Sequence, residues 1–156
     1  MMFQILADQI TTLFVSLNLL TTLTFDAPIT SFLYGGSKDD VFMETANNSR
    51  TLAIRPKRKD IASNLLVITS KGKFYFDVRY DEKNPHQFVE VKFGRPGHVL
   101  KKVVTTNEYD IFEGQESVMF VSKTAIETSI NGVKVKNSSF FSKGVPLLRD
   151  GVRIFN

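Results

Sequence analysis

The chain has no cysteine and no tryptophan, and its only histidines are His86 and His98. Without cysteine there are no disulfides, no thiolate zinc sites and no cysteine nucleophile, although the redox compartment stays open because such a protein folds in either kind. Two histidines leave almost no material for a histidine metal cluster, so neither a metal nor a cofactor is expected. No uninterrupted run of about 18 apolar residues exists, which argues against a transmembrane helix. Lys and Arg are missing from residues 1–34, where the only charges are Asp8 and Asp26. A secretory signal places cations ahead of its apolar segment, so Met1 to Asp8 and the apolar residues from Leu13 to Leu23 fit a leader poorly. If the protein is exported, its leader is expected outside this numbering or replaced by a new start.

What is present is ordinary globular material: 156 residues, 42% hydrophobic and 23% charged. That length suits one domain, or a small domain with an appendage, and supports a core without staples. The net charge of +4 lies downstream, with cations at Arg50, Arg55, Lys57, Arg58 and Lys59 packed around a strand end and a proline. Such a cluster must be largely solvated. It is either a charged loop that discourages edge pairing or a docking surface for an acidic partner, a phospholipid or nucleic acid.

Short β-rich segments separated by turn residues dominate the pattern. Strands are expected at residues 12–17, 20–25, 29–33, 41–45 and 51–55, the last ended by Pro56. Asn64 to Thr69, the Ser70-Lys71-Gly72 turn and Lys73 to Tyr80 make the clearest hairpin, with Phe74, Phe76, Val78 and Tyr80 on one face and Tyr75, Asp77 and Arg79 on the other. Residues 88–93 add a strand, and Gly94-Arg95-Pro96-Gly97 reads as a boundary. Beyond it come a strand at 98–105, a short helix capped by Asn107 and running to Phe112, and a strand at 117–122. Two more hairpins follow, one turning at Asn131-Gly132 between residues 126–130 and 133–136, the other at Arg149-Asp150-Gly151 between 145–148 and 152–155. The expected class is all-β, an antiparallel sandwich over residues 1–93 with a hairpin-rich C-terminal part over 94–156.

The candidate chemistry is thin. Asp39, Asp40 and Glu44 offer carboxylates, but they follow a Gly loop without a calcium-loop pattern and read as an acidic turn. His86 and His98 stand in loops with no nucleophile elbow, so neither reads as catalytic. Tyr34-Gly35-Gly36-Ser37-Lys38 lacks the spacing of a phosphate cradle. Lys71 to Phe76 interleaves cations and aromatics as an RNA-binding strand does, yet Phe74 and Phe76 on one face read as core. The triplets Asn47-Asn48-Ser49 and Asn137-Ser138-Ser139 match the glycosylation pattern and carry no weight.

One stretch is familiar. Phe25-Asp26-Ala27-Pro28-Ile29, a Gly loop, Leu52-Ala53-Ile54-Arg55-Pro56, Ser63 to Thr69 and Gly72 to Val78 follow one another in an order that resembles the N-terminal β-domain of the periplasmic core subunits of type IV secretion and conjugation machines, the CagX, TrbG, TraK and TraN group. The resemblance spans residues 20–80. It implies no enzymatic activity and no cofactor, but a place in the periplasm or the outer-membrane-associated envelope, in a homo-oligomeric ring with other secretion-complex subunits as partners. The leading expectation is thus a non-catalytic structural subunit working through subunit packing, with strand edges such as Val41 to Thr45 as contact surfaces. A small basic binding module for nucleic acid or anionic surfaces, centred on Arg50, Arg55, Lys57, Arg58 and Lys59, is the alternative. An enzyme using Asp39 and Asp40 is the third.

Overall fold

The computed structural model describes residues 1–156. Its strands are β1 (Met2–Ile5), β2 (Ile10–Val15), β3 (Thr21–Phe25), β4 (Ile29–Tyr34), β5 (Val41–Ala46), β6 (Thr51–Pro56), β7 (Ala62–Thr69), β8 (Gly72–Tyr80), β9 (Phe88–Phe93), β10 (Lys101–Thr105), β11 (Tyr109–Glu113), β12 (Ser117–Ser122), β13 (Thr128–Ile130), β14 (Val133–Val135), β15 (Ser138–Ser142), β16 (Leu147–Arg149) and β17 (Val152–Phe155). The only helical element is one 3-10 turn at Lys38–Asp40. The protein is all-β, as its composition and turn spacing predict. No helix is long and apolar enough to cross a membrane.

The chain divides into two compact units. The first holds Met1–Met2 and Ile10–Lys92, the second Phe3–Gln9 and Phe93–Asn156. The break after Lys92 sits where the Gly94 to Gly97 signal places a boundary, but residues 3–9 go with the second unit rather than with the 1–93 span expected from sequence. The reason is burial: Phe3, Ile5 and Leu6 are core residues. Gln4 and Lys143 exchange backbone hydrogen bonds at 2.9 Å. Leu6 N–H donates to Ser142 Oγ at 2.9 Å and the Gln9 side chain to the Phe140 carbonyl at 2.9 Å.

The first unit is a sandwich. One sheet runs β2-β8-β7-β4. The other runs β9-β3-β6-β5, with the Met1 carbonyl beyond β9 accepting from Glu90 N–H at 2.9 Å. Alternation along β8 turns Phe74, Phe76 and Val78 inward, each at most 1% exposed, while Tyr80 is half-buried at the strand end. They meet β3, where the Phe25 and Phe74 rings lie 5.1 Å apart across the two layers. Most pairs are antiparallel, but β2 runs parallel to β8 and β3 parallel to β9. Each of those pairs is formed by residues distant in sequence, which local patterning does not reveal.

The second unit carries the sheets β10-β11-β12-β15 and β14-β13-β16-β17. Two of its hairpins close on two-residue turns: Asn131 and Gly132 at φ 50° and 80°, Asp150 and Gly151 at φ 48° and 84°. Both pairs of positive φ are those a type I′ turn requires. The helix expected from Asn107 is instead the turn into strand β11. Thr106, not Asn107, holds it: its Oγ1 accepts from Glu108 N–H at 3.1 Å and Tyr109 N–H at 3.0 Å, and its N–H donates to the Tyr109 carbonyl at 2.8 Å. Strand β15 falls where no strand is expected from sequence, and strand β1 on residues weighed as a leader.

The inward face of β8 is where the first unit is most sensitive. Phe76→Ala is expected to lower its stability by about 3–5 kcal/mol, and Lys73→Ala on the wet face by less than about 0.5 kcal/mol. Urea unfolding of the two variants beside the parent chain checks the contrast.

Candidate interaction surface

Strand β6 is interior to its sheet and β5 lies at its edge. Register and hydrogen bonds agree on how these strands face. Lys57 N–H donates to the Asp40 carbonyl at 2.8 Å, in line with the Val41–Pro56 and Phe42–Arg55 partners. Even-numbered residues of β5 therefore bond to β6. On the far side of β6, Phe25 N–H donates to the Arg50 carbonyl at 2.8 Å, in line with the Thr24–Thr51 partners. Pro56 sits where β3 no longer runs alongside, so its missing N–H costs nothing.

This geometry disperses the basic cluster. Arg50 lies in the β5–β6 turn, while Lys57, Arg58 and Lys59 follow the other end of β6, a strand length of about 20 Å away. All five cations are exposed. Arg58 is paired to Asp40 at 3.3 Å and to Asp60 at 3.1 Å, and Lys59 to Glu82 at 3.4 Å. The Arg55 guanidinium lies 5.6 Å from the centre of the Phe42 ring, leaning from β6 over β5. The residues grouped by sequence thus occupy two ends of a hairpin, and part of their charge is met within the chain.

Asp39 and Asp40 belong to the 3-10 turn, capped by Ser37, whose Oγ accepts from Asp39 N–H at 3.2 Å. Gly35 leaves room there for the Asn64 side chain, whose Oδ1 would lie 1.9 Å from a Cβ and would have to move to admit one. The loop lets chain pass from the edge of one sheet to the edge of the other, opening a cleft of about 460 Å³ between β4 and β5. Phe32, Leu33, Tyr34, Val41 and Met43 line it, with Lys38 as the one charged lining residue. Burial pushes the Tyr34 phenol above its ordinary 10.0, and the nearby Asp40 charge adds to this. Sequence reading missed the cleft because neither strand alone shows that the two edges face each other. The Gly loop that separates them is the only local signal.

His86 is a structural residue. It is 3% exposed, and its Nδ1 accepts from Phe14 N–H at 2.9 Å while its own N–H donates to the Phe14 carbonyl at 2.9 Å. The two rings stack at 5.7 Å, and Thr21 Oγ1 donates to the His86 carbonyl at 2.6 Å. The loop carrying His86 thus covers the outer edge of β2. No group of His, Cys, Asp and Glu converges as a metal site.

Two carboxylates in the second unit are tied down. Asp110, nearly buried on β11, accepts from Thr105 Oγ1, with Lys123 Nζ at 3.0 Å and Lys102 Nζ at 3.6 Å. The Thr105 and Lys123 hydrogen bonds hold its pKa below the ordinary 3.8. Asp150 accepts from Ser129 N–H at 3.0 Å and Thr128 Oγ1 at 2.8 Å, which lowers its pKa likewise. Both bind turns and strands within one fold unit.

Comparison of the chain with protein-family models finds no match, and comparison with curated proteins finds none either.

Two outcomes follow. His86→Ala takes the acceptor from the part-buried Phe14 N–H, and is expected to cost the first unit about 1–3 kcal/mol in denaturant unfolding. A carboxylate with a depressed folded pKa stabilises above its unfolded value and loses that contribution as pH falls through the lower folded value. The second unit should therefore lose stability below the ordinary 3.8 of Asp110 and Asp150. Thermal unfolding from about pH 7 to about pH 2 should show a shallower acid loss in Asp110→Asn than in the parent chain.

Proposed function

We propose that the protein is a non-catalytic structural subunit of a type IV secretion or conjugative-transfer envelope core complex, acting through the packing of its β-units against neighbouring subunits. The observation that carries this reading is the cleft between β4 and β5, an apolar surface that lies between two edge strands of the sandwich. The residues of the family resemblance support it, since 20–80 fall on β3 to β8 and supply both sheets around that cleft. Its partners would be other secretion-complex subunits and further copies in a ring, within the periplasmic or outer-membrane-associated envelope.

Apolar and backbone-mediated packing differs from phosphate binding in its response to salt. Binding through neutralised phosphates weakens steeply as salt rises, whereas packing of apolar strands does not. Light scattering on size-separated protein, at low and high salt and with and without candidate neighbouring envelope subunits, should reveal salt-resistant assemblies larger than a pair or salt-resistant binding to those subunits. A species that stays monomeric and binds none of them overturns the role. Salt-sensitive binding to nucleic acid or anionic vesicles, abolished by Arg50→Glu with Lys57→Glu, favours the basic-module reading.

A further inference from the structure

The four edge strands of the first unit are not equally protected. β2 is covered by the His86 loop, through both backbone groups of Phe14. β9 has Met1 beyond it, and β4 is bulged between Ile29 and Ser31. β5 has no proline, no lysine and no bulge, its register with β6 is regular over all six residues, and Glu44 is its one charge. Because its even-numbered residues bond to β6, the N–H and C=O groups of Val41, Met43 and Thr45 point to the open side.

We propose that β5 is the contact between two copies of this chain, which pair antiparallel about a two-fold axis at Met43. In that register Met43 faces its own counterpart, Val41 faces Thr45 of the other copy, and Phe42 faces Glu44. The outward-pointing backbone groups then exchange about six N–H···O bonds, the full set that this edge offers.

The charges of the strand select a second copy as the occupant. Glu44 is exposed and has no ion pair, and Arg55, also without one, leans over Phe42 towards the open edge. Phe42 is the residue that would lie opposite the other copy's Glu44. The two charges are then two strand spacings apart, about 10 Å between backbones, which arginine and glutamate side chains bridge. The two-fold axis makes the pair twice, because an isologous contact repeats each interaction. On the opposite face Met43, which lines the cleft together with Phe32, Tyr34 and Val41 of its own copy, meets Met43 of the other copy at the cleft's open side.

The inference shares with the proposed function the premise that this protein packs against its own kind, but not the ring. A two-fold contact closes on itself, whereas a ring needs a head-to-tail one.

Sedimentation and light scattering of the whole chain from about 1 μM to about 1 mM test it. A reversible dimer is expected. Met43→Pro removes an outward N–H without touching the β6 ladder, and should leave monomer. Glu44→Lys sets like charges together and should raise the dimer Kd by about tenfold or more, and adding Arg55→Glu should restore it. This charge exchange tests the contact even where the proline variant fails to fold. A monomer throughout the range, or association indifferent to the charge exchange, overturns the contact. A dimer that responds as expected while envelope subunits go unbound upholds the contact and refutes the secretion role. An assembly larger than a pair that ignores these substitutions refutes the contact and leaves the packing role standing.

Discussion

The contact between Phe25 and Phe74, made through two sheets, depends on the pleat of β8 being in phase with the layer beneath it. A slip of one residue would send Phe74, Phe76 and Val78 to water and bring Lys73, Tyr75 and Asp77 into the core. The phase is set locally at the β7–β8 turn. Thr69 Oγ1 accepts from Lys71 N–H at 3.2 Å and donates to the Gly72 carbonyl at 3.2 Å. From there Val67 opposes Phe74 and Leu65 opposes Phe76, so both strands of the hairpin present buried residues to the same side. Everything else in the first unit is arranged around that face. The parallel placement of β2 beside β8 adds Leu13 opposite Val78, and Phe32 of β4 opposes Val67 at the other end of the sheet.

The second unit solves a different problem with shorter strands. Those of three residues, such as β13, β14 and β16, place one apolar side chain apiece in the core, Ile130, Val135 and Leu147, and polar side chains bonded to backbone add to their hold. Asn131 accepts from Leu148 N–H at 2.8 Å and donates to the Pro146 carbonyl at 3.1 Å, tying one hairpin to the next. Asp150 does the same for Thr128 and Ser129. Such bonds are individually modest, but removing one partner inside a fold leaves the other unsatisfied, which is the larger effect. The two carboxylates whose pKa values fall are therefore fasteners of structure, and the direction of their shifts follows from the number of donors each has collected.

How much of this was legible in the sequence depends on how local each cause is. Strands β9, β12 and β17 coincide with the segments read from periodicity, and both type I′ turns follow from Asn131-Gly132 and Asp150-Gly151 because the positive φ is a property of those residues alone. β15 was hidden because Ser138, Ser139 and Ser142 look like turn residues; its pairing with β12 and the Leu6 bond to Ser142 lie far off in the chain. β11 reads as a helix from sequence because Asn107 before an apolar stretch is a fair cap, whereas Thr106 takes the turn instead. The basic residues are solvated, as their density along the chain implies, but their partners Asp40 and Glu82 are brought near only by folding. Which backbone groups of β5 stay open cannot be read from composition either, since it follows from the parity of two ladders meeting at β6.

That parity bears on why charge alone is a weak guide to this surface. The net charge of +4 describes the whole chain, but a field that attracts a polyanion needs cations on one face. Here Arg50 and Lys57 stand at opposite ends of β6, and Arg58 and Lys59 already have carboxylates within salt-bridge range. What the hairpin concentrates instead is unsatisfied backbone along β5 and apolar surface beside it. Ordered main-chain groups have fewer acceptable partners than a diffuse charge does, because only an extended chain in the right register meets all of them at once. In the proposed contact the chemistry of this region would be that of strand pairing, with the arginine over Phe42 helping to choose the register.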